Sequence, residues 1–292
     1  MNYIFFGSPR FAEIILQKLL DAGFPPAALV CNPDQPVGRK KILTAPATKE
    51  LVTKAEGTGP EAKIQILQPE KLDAELVETL KSLRPDFFVV AAYAKIIPKA
   101  VLEIPRLGAI GVHPSLLPKL RGASPIQSAI LNGEKETGVT LYLMDEKMDH
   151  GPMLATRTLG TANGPWPMAK TAYPELHDAL ANLGAELLAE ILPEFMEGKI
   201  TPQPQDEAQA TFTRKFTTQD GFISPEDLEA AARGDAEKTA MADRRIRGLN
   251  PDPGVWTIRD GKRIKLLEAE VTNGTLRLRK IQKEGEKPKE VK

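Results

Sequence analysis

The start of the chain alternates between a strand pattern and a helix pattern, and this order constrains the fold more than any other feature. Residues 3–6 are an apolar run that stops at Gly7, as expected of a short buried strand. Ser8 and Pro9 suit the N-cap and the first position of a helix, and apolar residues then recur at helical spacing. Residues 28–31 are a second apolar run. A strand, a helix and a second strand in this order predict an α/β protein with a parallel sheet and right-handed crossovers.

Further strand and helix patterns follow along the chain. Residues 86–93 are almost continuously apolar, as a central strand of a parallel sheet should be. The turn after the first strand holds one glycine and does not match G-x-G-x-x-G, so a dinucleotide cofactor is weakly supported. We also predict strands at 64–67, 138–144 and 153–159, and helices at 69–83, 124–133 and 175–195.

Composition restricts the class of protein. Hydrophobic residues make up 41% of the chain, enough for a sizeable core, and the formal net charge is zero, so the whole molecule is not steered towards nucleic acid. The single Cys31 excludes an internal disulfide, and only three histidines argue against a metal site. The N-terminus lacks the pattern of a signal peptide, and no apolar run reaches the roughly 18 residues of a membrane span. We expect a soluble, cytoplasmic monomer that holds no metal.

Two apolar runs end abruptly in polar residues. The segment 107–121, LGAIGVHPSLLPKLR, turns polar at His113, and the segment 144–154, MDEKMDHGPML, brings Asp145 and Asp149 after an apolar run. In an open parallel sheet, ligands bind at the carboxyl ends of strands. A histidine and a carboxylate that meet there can move a proton and stabilise an oxyanion. On spacing alone, His113 is equally well a packed loop histidine. Asp149 is better explained on spacing as a turn residue, and Asp145 competes with it for the carboxylate role.

A long basic loop interrupts the first half of the chain. Residues 32–48, NPDQPVGRKKILTAPAT, contain three prolines and the run Arg39, Lys40 and Lys41. On composition this is either a mobile solvated loop or a basic finger for a substrate that carries phosphate.

The pattern changes near residue 200. A polar stretch at 201–211, spaced by prolines, is typical of a linker. Beyond it, the alternating stretches at 257–267 and 270–281 contain the turn signals Asp260-Gly261 and Asn273-Gly274, the second a strong hairpin signal, and basic residues outnumber acidic ones. We therefore predict domains at 1–200 and 214–292 joined by a linker at 201–213, the second domain being small and β-rich.

Four stretches resemble the methionyl-tRNA formyltransferase family, and the resemblance extends over nearly the whole chain. They are FFGSPRFA at the first strand, NPDQPVGRKK in the basic loop, the block from VVAAYAKIIPK through GVHPSLLPKLRGASPIQ to MDEKMDHGPML, and RGLNPDPGVWT near the end. The middle block alone is similar to the wider folate-dependent formyltransferase superfamily. The basic loop and the last stretch favour the tRNA enzymes.

The resemblance implies a Rossmann-like formyltransferase domain with a mostly parallel sheet and a smaller C-terminal barrel of the OB type. It implies 10-formyltetrahydrofolate as co-substrate and initiator methionyl-tRNA as acceptor, in translation initiation. His113 matches the histidine that polarises the formyl oxygen, and Asp149 the aspartate that manages protons through water. The positions that match a folate site are Ser115, Leu116, Leu117, Pro118, Val90, Ala92, Tyr93 and Ile96, and those that match the loop reaching tRNA are Arg39, Lys40 and Lys41.

One position departs from the family pattern. Where the family has Asn-x-His, with an amide that donates to the formyl oxygen, this chain has Gly111 before His113. Loss of one such donor typically costs roughly 10²–10³ in rate. Either the site has drifted and nothing replaces the donor, or the space above Gly111 is filled by a water or by a neighbour such as His150 or Lys95. We favour the second explanation.

Three functions therefore compete. The first is formylation of methionyl-tRNA. The second is folate-dependent N-formylation of an amino sugar nucleotide or another small amine, which needs neither the basic loop nor a basic second domain. The third, motivated by Gly111, is binding of folate or RNA without catalysis.

Overall fold

The computed structural model of the protein describes residues 1–38, 40–55, 63–161 and 164–291. These residues form two compact units, each assembled from stretches that are distant in sequence. The first unit comprises Met1–Arg121, Gly138–Leu159 and Asp178–Thr211, and the second Gly122–Thr137, Gly160–His177 and Phe212–Lys292. Residues 201–211, predicted as a linker, belong to the first unit. No helix among the described residues is long and apolar enough to span a membrane.

The strands and helices are numbered in chain order. The strands are β1 Tyr3–Phe6, β2 Ala28–Val30, β3 Gln35–Val37, β4 Ile42–Thr44, β5 Gln65–Leu67, β6 Phe87–Val90, β7 Ala109–His113, β8 Arg121–Gly122, β9 Gly138–Leu143, β10 Met153–Thr158, β11 Gly160–Thr161, β12 Gly164–Pro165, β13 Phe212–Thr213, β14 Trp256–Arg259, β15 Lys262–Thr272, β16 Thr275–Lys283 and β17 Lys289–Glu290. The α-helices are α1 Arg10–Asp21, α2 Ala47–Ala55, α3 Ala74–Ser82, α4 Lys99–Leu102, α5 Pro125–Asn132, α6 Tyr173–Met196, α7 Pro225–Arg233 and α8 Ala236–Leu249.

A seven-stranded sheet organises the first unit, in the order β10-β9-β7-β6-β1-β2-β5. The five strands from β7 to β5 run parallel, whereas β9 and β10 are antiparallel to their neighbours. Strands β1 and β6 are buried along their whole length, which explains their unbroken apolar sequences. His113 therefore lies at the carboxyl end of β7, next to the end of β6 and one strand away from the end of β1. The predicted mostly parallel α/β sheet is confirmed.

Two segments of the first unit differ from the sequence prediction. The helix predicted at 69–83 begins at Ala74, because the Asp73 carboxylate accepts a hydrogen bond from the Leu76 amide at 3.2 Å and caps the helix there. The basic loop at 32–48 contains a short hairpin, in which β3 and β4 pair antiparallel.

The second unit contains an antiparallel four-stranded sheet in the order β14-β15-β16-β17. Its tight turns contain Asp260 and Asn273, with φ of 51° at both, each followed by a glycine at positive φ, and this confirms the predicted hairpins. Helices α7 and α8 were not predicted. Ser224 and Asp235 cap them, each accepting a backbone N–H at 3.0 Å. The smaller C-terminal domain is thus mixed rather than only β-rich.

Candidate active site

His113 is held in one orientation at the end of β7. The residue is 5% exposed, and its Nε2 lies 3.0 Å from the Leu120 carbonyl oxygen. A carbonyl can only accept, so Nε2 carries the proton in this bond. The other ring nitrogen, Nδ1, lies 3.6 Å from Asp149 Oδ2. Nδ1 is therefore the nitrogen available for proton exchange on the side of the carboxylate.

Asp149 lies beside His113, and Asp145 does not. Asp149 adopts a left-handed conformation with φ of 50° in the turn after β9, and its Oδ1 accepts a hydrogen bond from the Tyr142 hydroxyl at 2.7 Å. Asp145 instead contacts His150 Nδ1 at 2.5 Å. Of the two carboxylates that competed on sequence, the geometry brings Asp149 to the histidine.

The turn that carries Asp149 is fixed by a residue from the stretch predicted as a linker. Gln205 donates to the carbonyl oxygens of Asp149 and Gly151, at 2.9 and 2.8 Å. The Gln205 amide oxygen accepts two bonds from Arg121, at 3.0 and 2.7 Å, and Arg121 is 1% exposed. The Arg121 guanidinium also donates to Glu207 and holds the pKa of that carboxyl below its usual range. Sequence reasoning missed this support, because it joins segments far apart in the chain.

The S-L-L-P segment forms a tight turn after His113. The Ser115 hydroxyl donates to the Lys119 carbonyl at 2.6 Å, and Thr140 Oγ1 bridges the segment by donating to Ser115 O and accepting from Leu117 N. The Leu117–Pro118 peptide bond is cis. Leu117 is buried, while Leu116 and Pro118 are half-buried. The Ser115 hydroxyl is engaged within the turn, and its hydrogen-bond partner there is a backbone carbonyl and not a general base that would activate it as a nucleophile.

The end of β6 and the residues after it include both buried and exposed side chains. Val90 is buried, Ala92 is exposed with φ of 47°, and Ile96 is 86% exposed. Burial raises the pKa of Tyr93 to about 12, and its hydroxyl has no hydrogen-bond partner among the described residues. Lys95 donates to the carbonyls of residues 69 and 70, at 2.6 and 2.9 Å.

The space above Gly111 is occupied by Tyr142. The two residues are direct cross-strand partners in β7 and β9. A Cβ added at position 111 would lie 2.4 Å from Cε1, 2.5 Å from Cζ and 2.9 Å from the hydroxyl oxygen of Tyr142. Of the two explanations for this glycine, the geometry supports a filled space, but the neighbours named from sequence, His150 and Lys95, were wrong.

The basic loop presents its lysines at the tip of the β3–β4 hairpin. Lys40 and Lys41 are exposed. Arg39, predicted to belong to the same group, lies outside the described residues. Among the residues that the structure describes, no group of three or more His, Cys, Asp or Glu side chains could hold a metal ion.

Comparison with known proteins identifies the family. Residues 1–162 match the formyl transferase family, and residues 236–286 match the formyl transferase C-terminal domain. A methionyl-tRNA formyltransferase of Caldanaerobacter subterraneus is 41% identical over 273 residues, covering 93% of this chain and 81% of that protein. The chain belongs to the methionyl-tRNA formyltransferase family. A second relative with the same name, from Halorhodospira halophila, is 41% identical over 86% of this chain and 74% of that protein.

Solved structures share the fold of this family member at low sequence identity. A methionyl-tRNA formyltransferase from Clostridium thermocellum aligns with a TM-score of 0.58 at 19% identity, covering 97% of this chain and 98% of that one. A 4-N formyltransferase from Francisella tularensis aligns with a TM-score of 0.65 at 14% identity, covering 91% of this chain and 96% of that one. These likenesses concern the fold alone.

Proposed function

We propose that this chain transfers a formyl group from 10-formyltetrahydrofolate to the amino group of methionyl-initiator tRNA. The observation that carries the proposal is the His113–Asp149 pair at the strand ends of a chain that belongs to the methionyl-tRNA formyltransferase family. The pair has the chemistry that the transfer needs. The amine attacks the formyl carbon, a C–N bond forms, and the bond from that carbon to N10 of the folate breaks.

His113 and Asp149 have different roles in this transfer. The formyl oxygen becomes negative when the amine attacks. Because His113 Nε2 is bonded to the Leu120 carbonyl, the imidazole stabilises that charge through Nδ1, once this nitrogen carries a proton. The attacking amine must lose a proton, and N10 of the leaving tetrahydrofolate must gain one. Asp149 lies in contact range of His113 Nδ1, at 3.6 Å, and acts as the base that collects the proton, directly or through water.

The folate lies between the turn after His113 and the end of β6. The lining residues are Ser115, Leu116, Leu117, Pro118, Val90, Ala92, Tyr93 and Ile96. Two features support this placement. Ile96 is apolar yet 86% exposed, and the buried Tyr93 hydroxyl has no partner among the described residues. A flat ligand with polar edges would satisfy both.

The tRNA is contacted by the basic loop through Arg39, Lys40 and Lys41, and by the C-terminal domain, where basic residues predominate. Exposed lysines at a hairpin tip suit contact with phosphates, since each neutralised phosphate releases counterions. The protein acts as a cytoplasmic monomer.

Single-turnover formylation of methionyl-initiator tRNA tests the proposal. With saturating 10-formyltetrahydrofolate and enzyme in excess, formyl-methionine is expected at a rate that scales with the bound fraction of tRNA. A parallel reaction offers a nucleotide-linked amino sugar as acceptor. Formylation of the sugar without formylation of the tRNA would reject the proposal in favour of a small-amine enzyme, and no transfer to either would reject both.

The basic loop yields a prediction on binding. Lys40→Ala and Lys41→Ala are each expected to weaken tRNA binding and to reduce the slope of log affinity against log salt by about one phosphate contact. The single-turnover rate at saturating tRNA should change little. Lys18→Ala, which removes an exposed lysine on α1, is the matched control. Equal salt slopes for all three variants and the wild type would show that the loop does not touch the tRNA.

A further inference from the structure

Position 111 needs a glycine because a neighbouring side chain leaves no room for a Cβ, and not because of the backbone conformation. The φ angle of Gly111 is not positive, so the strand conformation there would accept any side chain. The obstacle is the ring of Tyr142, which is 4% exposed and is the direct cross-strand partner of Gly111. The phenol thus occupies the space into which a side chain at 111 would project.

We propose that the Tyr142 hydroxyl is the hydrogen-bond donor to the formyl oxygen, replacing the side-chain amide that position 111 lacks. This inference rests on the proposed function. Tyr142 would then be a catalytic residue of the transfer, and the glycine would be the change that makes room for it.

Three observations place the phenol at the reacting atoms. Gly111 and His113 are two apart on β7, so their side-chain directions share one face of the sheet. Cross-strand partners also share a face, which puts the Tyr142 ring on the side of His113. The hydroxyl lies 2.7 Å from Asp149 Oδ1, and the other oxygen of that carboxylate lies 3.6 Å from His113 Nδ1. Hydroxyl, carboxylate and imidazole therefore form one contiguous group.

The hydroxyl is suited to donate. Burial, with the Asp149 carboxylate adding to it, raises the pKa of Tyr142 well above its ordinary value, so the phenol keeps its proton throughout the neutral range. A neutral O–H in a site with little water is the kind of fixed donor that stabilises a developing oxyanion.

The Tyr142 hydroxyl donates its one proton first to Asp149 and then to the formyl oxygen. Before attack the proton is donated to Asp149 Oδ1. When the amine attacks, its proton moves to the Asp149 carboxylate, which loses its charge and with it most of its strength as an acceptor. The formyl oxygen gains negative charge in the same step, so the hydroxyl rotates about its C–O bond towards that oxygen. When the tetrahedral intermediate collapses, Asp149 passes the proton to N10 of the folate, and the hydroxyl returns to the carboxylate.

Tyr142→Phe is the first test, because it keeps the ring that fills the space above Gly111 and removes only the hydroxyl. The single-turnover rate on methionyl-tRNA at saturating 10-formyltetrahydrofolate is expected to fall by roughly 10²–10³, the usual worth of one oxyanion donor. The dissociation constant for tetrahydrofolate and the melting temperature should stay close to wild type. An unchanged rate would overturn the proposal.

A rescue experiment separates donation from support of Asp149. Gly111→Asn alone should be slow or unstable, since the new side chain collides with the Tyr142 ring. Tyr142→Leu removes both ring and hydroxyl and should be slow as well. Combining Gly111→Asn with Tyr142→Leu restores an amide donor in the vacated space, and the rate should recover at least about tenfold over Tyr142→Leu. A folded double variant with no recovery would mean that Tyr142 acts only by positioning Asp149, and the proposal would fall.

If the double variant does not fold, replacing Tyr142 with 3-fluorotyrosine tests whether the hydroxyl donates to the formyl oxygen. A more acidic phenol is a stronger donor, so the rate should rise with fluorination if the hydroxyl stabilises the oxyanion, and an unchanged or lower rate would reject donation.

The wild-type reaction separates this inference from the proposed function. A wild type that formylates no methionyl-tRNA contradicts the function itself. A wild type that is active, with a Tyr142→Phe variant equally active, contradicts only the role of Tyr142.

Discussion

His113→Ala is expected to slow single-turnover formyl transfer by about 10²–10⁴-fold, the range for loss of a general acid or base. Nδ1 of the imidazole lies 3.6 Å from Asp149 Oδ2, and the Nε2–H bond to Leu120 fixes the orientation of the ring. Binding of tetrahydrofolate should survive, because Thr140 and the Ser115 hydroxyl still hold the turn after His113 when the bond from the ring to Leu120 is lost. Rapid-quench measurement of formyl-methionine, with folate binding followed by fluorescence, separates the two effects.

His150→Ala is the matched control for this substitution. His150 belongs to the same unit and also contacts carboxylates, but these are Asp145 and Glu207. Its loss should leave the chemical step close to wild type. A His113→Ala variant that is as fast as His150→Ala would remove His113 from the mechanism.

The regular elements of the site were predictable because their signals are local. The apolar runs of β1 and β6 mark strands buried on both faces. Gly133 ends α5 at φ of 68°, as a glycine just after a helix should. The position of His113 followed from the same logic, since an apolar strand that turns polar at its end places that end at the edge of the sheet.

The partners of the site residues were not predictable, because they depend on register and on long-range contacts. That Tyr142 stands opposite Gly111 follows from the pairing of β9 with β7, and a shift by one residue would send the ring to the other face. Gln205 reaches Asp149 across 56 residues of sequence, from a stretch whose prolines are typical of a linker. Helices α7 and α8 were missed for another reason, since the hairpin turns that follow them dominate the pattern of that region.

Asp149→Asn is expected to lower the single-turnover rate by about 10²–10⁴-fold. The substitution is nearly isosteric. Asparagine tolerates the left-handed φ of 50° at this position, and its carbonyl oxygen can still accept the Tyr142 hydroxyl. The melting temperature should therefore stay near that of wild type. What the amide cannot do is collect the proton of the attacking amine or offer a negative charge to His113.

The control for this substitution is Asp145→Asn, which makes the same chemical change in the same turn region but next to His150. Its rate should remain close to that of wild type. Equal losses in the two variants would mean that the charge of the turn as a whole matters and that Asp149 has no special role. A loss confined to Asp149→Asn assigns the proton transfer to the carboxylate that contacts both His113 and Tyr142, since that carboxylate can accept the amine proton and release the phenol in one step.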